Sequence, residues 1–473
     1  MQKEVSMKGC GLKKVLISAL ALIILLSIQT VLCYATPKSG ECNVVLITID
    51  TLRADHLSCY GYERKTSPVI DAIAEGGIVC NNVYAPSSWT APSMASLFTS
   101  VYPINHGVVH GIGYTKDNAL NVQEVFSPDL TTLAEVFQAQ GYVTFGVSSN
   151  PHLSEKFHFD RGFDYFTCLE FQDANSVNKA VYAWEEKIKQ AEKYFLWVHY
   201  IDPHYPYTAQ KPWIASYVSE AETRFLLNMP PQSWWGLKNL VKDVQNDPNL
   251  LKHLIALYDS EINYVDAHVG ELMARFNHHI NTLVFITSDH GEEFLEHGET
   301  GHGNNLYQPS LHVPLVVKLP EKSKQTVLQQ PISLIDVMPA LLELSGLAVP
   351  TTALGTSFRP RSSVFSWLKN TFTGADVNYI YAELDTGARL KAIVVPPWKY
   401  IYDCSVKSGQ LYNLMSDPME LHDLSNEMAA ERDTLHDHLL NWMDTAKRFP
   451  ASINAVELSP VEKEMLKGLG YLQ

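Results

Sequence analysis

Cysteine is scarce in this chain: seven among 473 residues, two of them before residue 34. The five that remain, Cys42, Cys59, Cys80, Cys168 and Cys404, are odd in number, and none is spaced as Cys-x-x-Cys. That argues against a zinc knot and a thioredoxin-type redox site, and makes buried free thiols the expected state. No Gly-x-Gly-x-x-Gly occurs, nor any internal repeat or low-complexity tract. Basic charge is also short: 36 Lys and Arg stand against 51 Asp and Glu, for a formal charge of −15. Such a balance argues against a nucleic-acid or anionic-membrane binder. An anionic substrate stays compatible with it, because a bound cation can reverse the local field.

A long apolar run stands at the N-terminus, where residues 15–32 follow Lys8, Lys13 and Lys14 and precede Cys33-Tyr34-Ala35. A positive start, an apolar middle and a small residue at the end describe a secretory signal. The run is also nearly long enough for an uncleaved membrane anchor. Residues 1–35 are therefore expected to be a signal peptide or an N-terminal anchor, and the globular part to be exported to a periplasmic or other extracytoplasmic space.

What is present is an ordinary globular composition, 46% apolar and 18% charged, long enough for one large domain with a smaller appendage. Strand-like and helix-like stretches alternate from about residue 41 to 375, with helical spacing over 133–140, 251–276 and 334–346. A stretch with Trp213, Trp234, Trp235 and Pro230-Pro231, between 210 and 249, interrupts that rhythm as an insertion. After residue 376 short strands over 379–383, 390–395, 398–402 and 410–414 precede a helix over 429–447, which reads as a small antiparallel sheet with a helix on it.

Three stretches, 43–49, 194–201 and 281–288, are continuous apolar, β-branched runs that end on Asp50, on Asp202 and His204, and on Asp289 and His290. Runs without alternation suit strands covered on both faces, as in a parallel α/β sheet. Ligands in such sheets lie beyond the carboxyl ends of the strands. Parallel strands would thus gather these Asp and His residues on one rim as a metal site. In Ser87–Thr99, Pro92 fits the first turn of a helix, which puts Thr90 at its N-terminus, where free amides and the macrodipole favour an anion. A lone Thr hydroxyl is a poor nucleophile and needs a base or a metal ion. Asp50, Asp289 and His290 could supply the metal, with Thr90 completing the ligand set.

The segments "NVVLITIDTLRADHLSCYGY" (43–62), "APSSWTAPSMASLFTS" (85–100), "YIDPHYPY" (200–207), "YDSEINYVD" (258–266), "SDHGEEFLEHGETGHG" (288–303) and "HVPLVVKLP" (312–320) closely resemble the sulfatase branch of the alkaline-phosphatase superfamily. "LYNLMSDPMELHDL" (411–424) resembles that family's C-terminal subdomain. The resemblance covers nearly everything after the leader. It implies an α/β fold: a large mixed, mostly parallel sheet between helices over 41–375, and a small antiparallel sheet plus helix over 376–473. It also implies a sulfuric or phosphoric ester hydrolase.

The details depart from sulfatases that use formylglycine. Their Cys/Ser-x-Pro-x-Arg motif begins here with Thr90 and holds Met94 in place of the arginine, so the resemblance points instead to superfamily members with a Thr nucleophile. Thr51 follows Asp50 where those sulfatases pair two aspartates, and His290 follows Asp289. An imidazole favours manganese or zinc over calcium, and one divalent ion is expected. Asp202, His204 and His302 are read as substrate contacts, with His204 or His302 as the acid that protonates the leaving oxygen. The expected substrate is a sulfate ester, phosphate diester or phosphonate ester on a small molecule, glycan or lipid. The alternatives are a transferase of phosphorylated headgroups and a non-catalytic protein of the same fold.

Overall fold

A computed structural model describes residues 42–110, 122–228, 244, 248–276, 281–320, 324–358, 378–386, 388–449 and 451–455. The leader, Trp234, Trp235, the proline pair 230–231 and the expected boundary at 375/376 lie outside the described residues. No helix among the described residues is long and apolar enough to cross a membrane.

The main sheet has eight strands: β1 Asn43–Ile49, β2 Ile78–Tyr84, β3 Val143–Ser148, β4 Tyr165–Cys168, β5 Tyr194–Tyr200, β6 Thr282–Ser288, β7 Leu315–Lys318 and β8 Thr326–Ser333, ordered β8-β2-β7-β6-β1-β5-β3-β4. The central block β6-β1-β5-β3-β4 is parallel throughout. β7 runs antiparallel to both β6 and β2, so β2 points the same way as the central block and the sheet is mixed. The parallel strands expected over 43–49, 194–201 and 281–288 lie side by side, within a residue of those limits.

Successive side chains leave a strand on opposite faces. Val45, Ile47 and Ile49 of β1 join one apolar layer with Leu196 and Val198 of β5, while Val44 and Leu46 join the other with Phe195 and Trp197. Both faces are covered, which is why these strands read as unbroken apolar runs. Helix α1, Thr90–Thr99, is buried along its whole length and carries Met94, Leu97 and Phe98 into the second layer. Helix α2, Ala174–Tyr182, and the 28-residue α3, Pro248–Arg275, pack on the first. Residues expected to form one helix over 334–346 divide into a 3-10 turn, Leu334–Asp336, and a short helix, Val337–Leu344.

The second sheet is an antiparallel meander of β9 Ile380–Thr386, β10 Ala388–Val395, β11 Trp398–Asp403 and β12 Ser408–Asn413. Leu435 and Leu439 of helix α4, Ala429–Thr445, pack on Ile393, Tyr400 and Leu411. Its first strand braces two loops of the larger sheet. The amide of Glu383 donates to Pro86 O (2.9 Å), Ser87 Oγ donates to Glu383 O (2.7 Å), and Thr386 Oγ1 donates to Gly303 O (2.8 Å).

Candidate active site

β1, β3, β5 and β6 end on one rim, and the loop after β2 delivers Thr90 to the same place. Helix α1 begins at Thr90, and its cap, Trp89, makes no side-chain bond to the first-turn amides. Ser93 Oγ donates instead to Asp289 O at 2.6 Å, tying the helix to the β6 loop. Thr90 Oγ1 lies 3.3 Å from His290 Nε2, and Asn150 Nδ2 donates to it at 3.2 Å and to Asp50 Oδ2 at 2.7 Å.

Asp50, Asp289 and His290 are fully buried, with one ligand-capable atom from each within 4.8 Å of the others. The two carboxylates are treated alike. Asp50 has one oxygen, Oδ2, held by Asn150 and by His199 Nε2 (3.3 Å), while Asp289 Oδ1 accepts the amides of Thr51 (3.2 Å) and His290 (2.9 Å). The other oxygens, Asp50 Oδ1 and Asp289 Oδ2, are buried with no hydrogen-bond partner and lie 3.6 and 3.4 Å from His290 Nε2. His290 Nδ1 donates to Gly291 O at 2.9 Å, so in the neutral ring Nε2 carries a lone pair. Two bare carboxylate oxygens thus converge on an imidazole lone pair that the Thr90 hydroxyl also reaches. An unpaired buried acceptor is costly, and a divalent cation satisfies all three at once. The residues present fit such an ion.

The ionisation of these groups carries the same message. Burial opposes charge on Asp50, yet the imidazoles of His199, His204 and His290 hold its carboxyl below the ordinary range. Burial and the neighbouring charge of Asp50 push Asp289 up to about 7. Burial lowers His290 against the pull of Asp289. Without a cation, below about pH 7, one proton stays on the pair, held by Asp289 beside an ionised Asp50.

His302 lies between the other histidines, its ring 4.5 Å from His290 and 4.9 Å from His204. His302 Nδ1 donates to Glu292 Oε1 (3.0 Å) and His204 Nδ1 to Tyr205 O, which fixes the orientation of both rings. Burial pulls His302 down to about 4 and pushes Glu292 up to about 7. Asp202 is placed differently. Its Oδ2 accepts the amide of Ala174 at the start of α2 (2.9 Å), and burial together with Asp173 pushes it up to about 7. The structure does not bring it into the group around Asp50. Thr51 sits in the left-handed region (φ 54°) with its hydroxyl buried and unpaired.

Sequence reasoning missed Asn150, His152, His199 and Glu292. Asn150 follows the end of β3 by two residues, so the strand-end argument applied to that strand would have found it. His152 packs its ring 5.6 Å from Trp89, and burial lowers it to about 3. His199 lies inside an apolar run, where nothing in the sequence marks it.

A family model described as Sulfatase matches residues 42–347, and one described as N-sulphoglucosamine sulphohydrolase, C-terminal, matches residues 298–446. The chain belongs to the sulfatase family. This places it in the alkaline-phosphatase superfamily, among sulfuric and phosphoric ester hydrolases, whose sulfatase-family enzymes use a divalent metal. The uncharacterized sulfatase YidJ of Escherichia coli (strain K12) is 23% identical over 85% of this chain and 87% of its own. Iduronate 2-sulfatase of Homo sapiens is 24% identical over 68% and 72%. The phosphonate monoester hydrolase SpPMH from Silicibacter pomeroyi superposes with a TM-score of 0.66 at 19% identity, over 86% of this chain and 96% of that one. A structure solved with its substrate D-glucosamine-2-N,6-O-disulfate superposes at 0.65 with 18% identity, over 85% and 98%. In this family member Met94 is packed in the apolar layer.

Proposed function

We propose that this sulfatase-family protein is an exported, metal-dependent hydrolase of sulfate esters, phosphate diesters or phosphonate esters, with Thr90 as its nucleophile. The convergence of two unpaired carboxylate oxygens, Asp50 Oδ1 and Asp289 Oδ2, on His290 Nε2 beside Thr90 Oγ1 carries the reading. Two carboxylates, one imidazole and the Thr90 hydroxyl suit manganese or zinc better than calcium. A divalent cation held there would supply Lewis acidity and neutralise charge on the ester and on Thr90.

The chain's own groups do the rest. Asn150 orients Thr90 Oγ1, and the free first-turn amides of α1 face the equatorial oxygens of a tetrahedral anion. Thr90 Oγ1, as the alkoxide after its proton is lost to solvent, attacks sulfur or phosphorus, the bond to the leaving oxygen breaks, and the alkoxide is regenerated when water displaces it. His204 or His302 gives that oxygen a proton from Nε2, an anionic ester favouring the protonated rings that burial alone disfavours. The same ring then takes a proton from the water that releases Thr90. A glycan, lipid or small molecule bears the ester. Arylsulfatase and iduronate 2-sulfatase relatives and phosphonate monoester hydrolase neighbours support both kinds of centre.

The test is turnover of aryl sulfate, phosphate diester and phosphonate ester substrates by metal-loaded protein. Thr90→Ala is expected to lower turnover by about 1,000-fold or more with unchanged near-UV circular dichroism. Full activity in that variant would remove Thr90 from the chemistry. Product formed only with an added acceptor would identify a headgroup transferase, and a metal-free, inert protein would identify a non-catalytic relative.

A further inference from the structure

We propose that Trp197, Thr48 and His199 form a buried hydrogen-bond relay that holds Asp50 by one oxygen and sets the affinity of the site for its cation, an inference that rests on the metal reading above. Thr48 of β1 and His199 of β5 are register partners on neighbouring parallel strands, and Trp197 stands two residues before His199 on the same face. All three are completely buried.

Directions in the relay follow from what each group can do. A carboxylate only accepts, so His199 Nε2 carries the hydrogen that meets Asp50 Oδ2 at 3.3 Å. In the neutral ring Nδ1 is then an acceptor, and the Thr48 hydroxyl 2.8 Å away donates to it. The Thr48 oxygen in turn accepts the indole N–H of Trp197 at 3.0 Å. The indole can only donate, so the order cannot reverse at that end.

The relay ends on one oxygen of Asp50 alone. Donors present merely to satisfy a buried carboxylate would be shared between its two oxygens. Here Asn150 and His199 both hold Oδ2, and Oδ1 is bare and turned toward His290. Partners of this outer kind fix the orientation and basicity of a metal ligand, and losing one typically costs about 10- to 100-fold in metal affinity. Trp197, Thr48 and His199 are positioning residues, since none touches the ester.

The experiment measures binding of Mn2+ to the full chain by competition with a fluorescent chelator at neutral pH. Thr48→Val keeps the shape of the side chain and removes the donor to His199. It is expected to weaken Mn2+ binding by about 10-fold or more, and Thr48→Ser to restore it. Trp197→Phe keeps an aromatic ring without the N–H, is expected to weaken binding less, and decides the matter if Thr48→Val does not fold. Wild-type affinity, within about twofold, in folded Thr48→Val (or in Trp197→Phe where Thr48→Val fails to fold) would overturn the relay. A loss that Thr48→Ser does not restore would assign the effect to packing and overturn it too. Absence of any Mn2+ or Zn2+ binding by the unaltered protein would overturn the metal site itself, a distinct result.

Discussion

Cation binding is expected to expel one proton below neutral pH, because Asp50 and Asp289 share one in the metal-free site. Asp289 is pushed up to about 7 by burial and by Asp50, whereas Asp50 is held below the ordinary range and is ionised throughout. Burial lowers His290 below the ordinary imidazole range, which favours the neutral ring that a cation needs. Between pH 5 and 7 a cation must therefore displace the Asp289 proton. Each pH unit corresponds to about 1.36 kcal/mol, so affinity is expected to rise by about 100-fold, or about 2.7 kcal/mol, across that window and then level off. The stability of the metal-free protein moves the opposite way. A carboxyl whose folded value lies above its unfolded one contributes fully below the unfolded value and loses that contribution as pH rises through about 7. Metal-free protein should weaken from pH 5 to 7 more steeply than cation-loaded protein, which keeps the slopes of Asp202 and Glu292 but not that of Asp289. Calorimetric titration with Mn2+ in two buffers of different ionisation enthalpy counts the protons released, and denaturant unfolding of the metal-free form gives the stability. An affinity flat from pH 5 to 7 with no proton released would refute the shared-proton arrangement.

Two further outcomes follow from contacts around the site. A Cβ built on Gly291 would lie 2.0 Å from Pro309 O, so Gly291→Ala must push apart the two loops and carry the Gly291 carbonyl away from His290 Nδ1. It should cost about 1–3 kcal/mol in urea unfolding and weaken Mn2+ binding, and unchanged binding would show that His290 is held by other means. Lys399 and Glu420 form a completely buried ion pair at 2.7 Å. Lys399→Met leaves a buried carboxylate without its partner and is expected to destabilise by about 3–5 kcal/mol, while replacing both residues by apolar ones should recover much of the loss.

Much of the site was legible in the sequence because the chemistry sits at strand ends, where an apolar run stops and a polar residue begins. Asp50, Asp289 and His290 stand out by that change alone, and Thr90 by the proline two residues on. Asp202 shows the same change after β5, but its carboxylate turns to the first amide of α2. A strand end reports the rim and not the direction in which each side chain leaves it. The insertion of antiparallel β7 between β2 and β6 escaped for a related reason: burial on both faces looks the same in a strand of either direction.

The amino-acid sequence by itself determined the α/β architecture, the family and the residue types available to hold a cation, because burial and periodicity are local properties that a linear pattern records. Tertiary structure alone decided which oxygen of each aspartate is bare, that Asn150 bridges Asp50 and Thr90, and that a histidine within an apolar strand bonds to Asp50. Those facts are hydrogen bonds between groups 60 to 238 residues apart. Such partners are chosen by strand register and chain crossing, and no local pattern in the sequence carries that information.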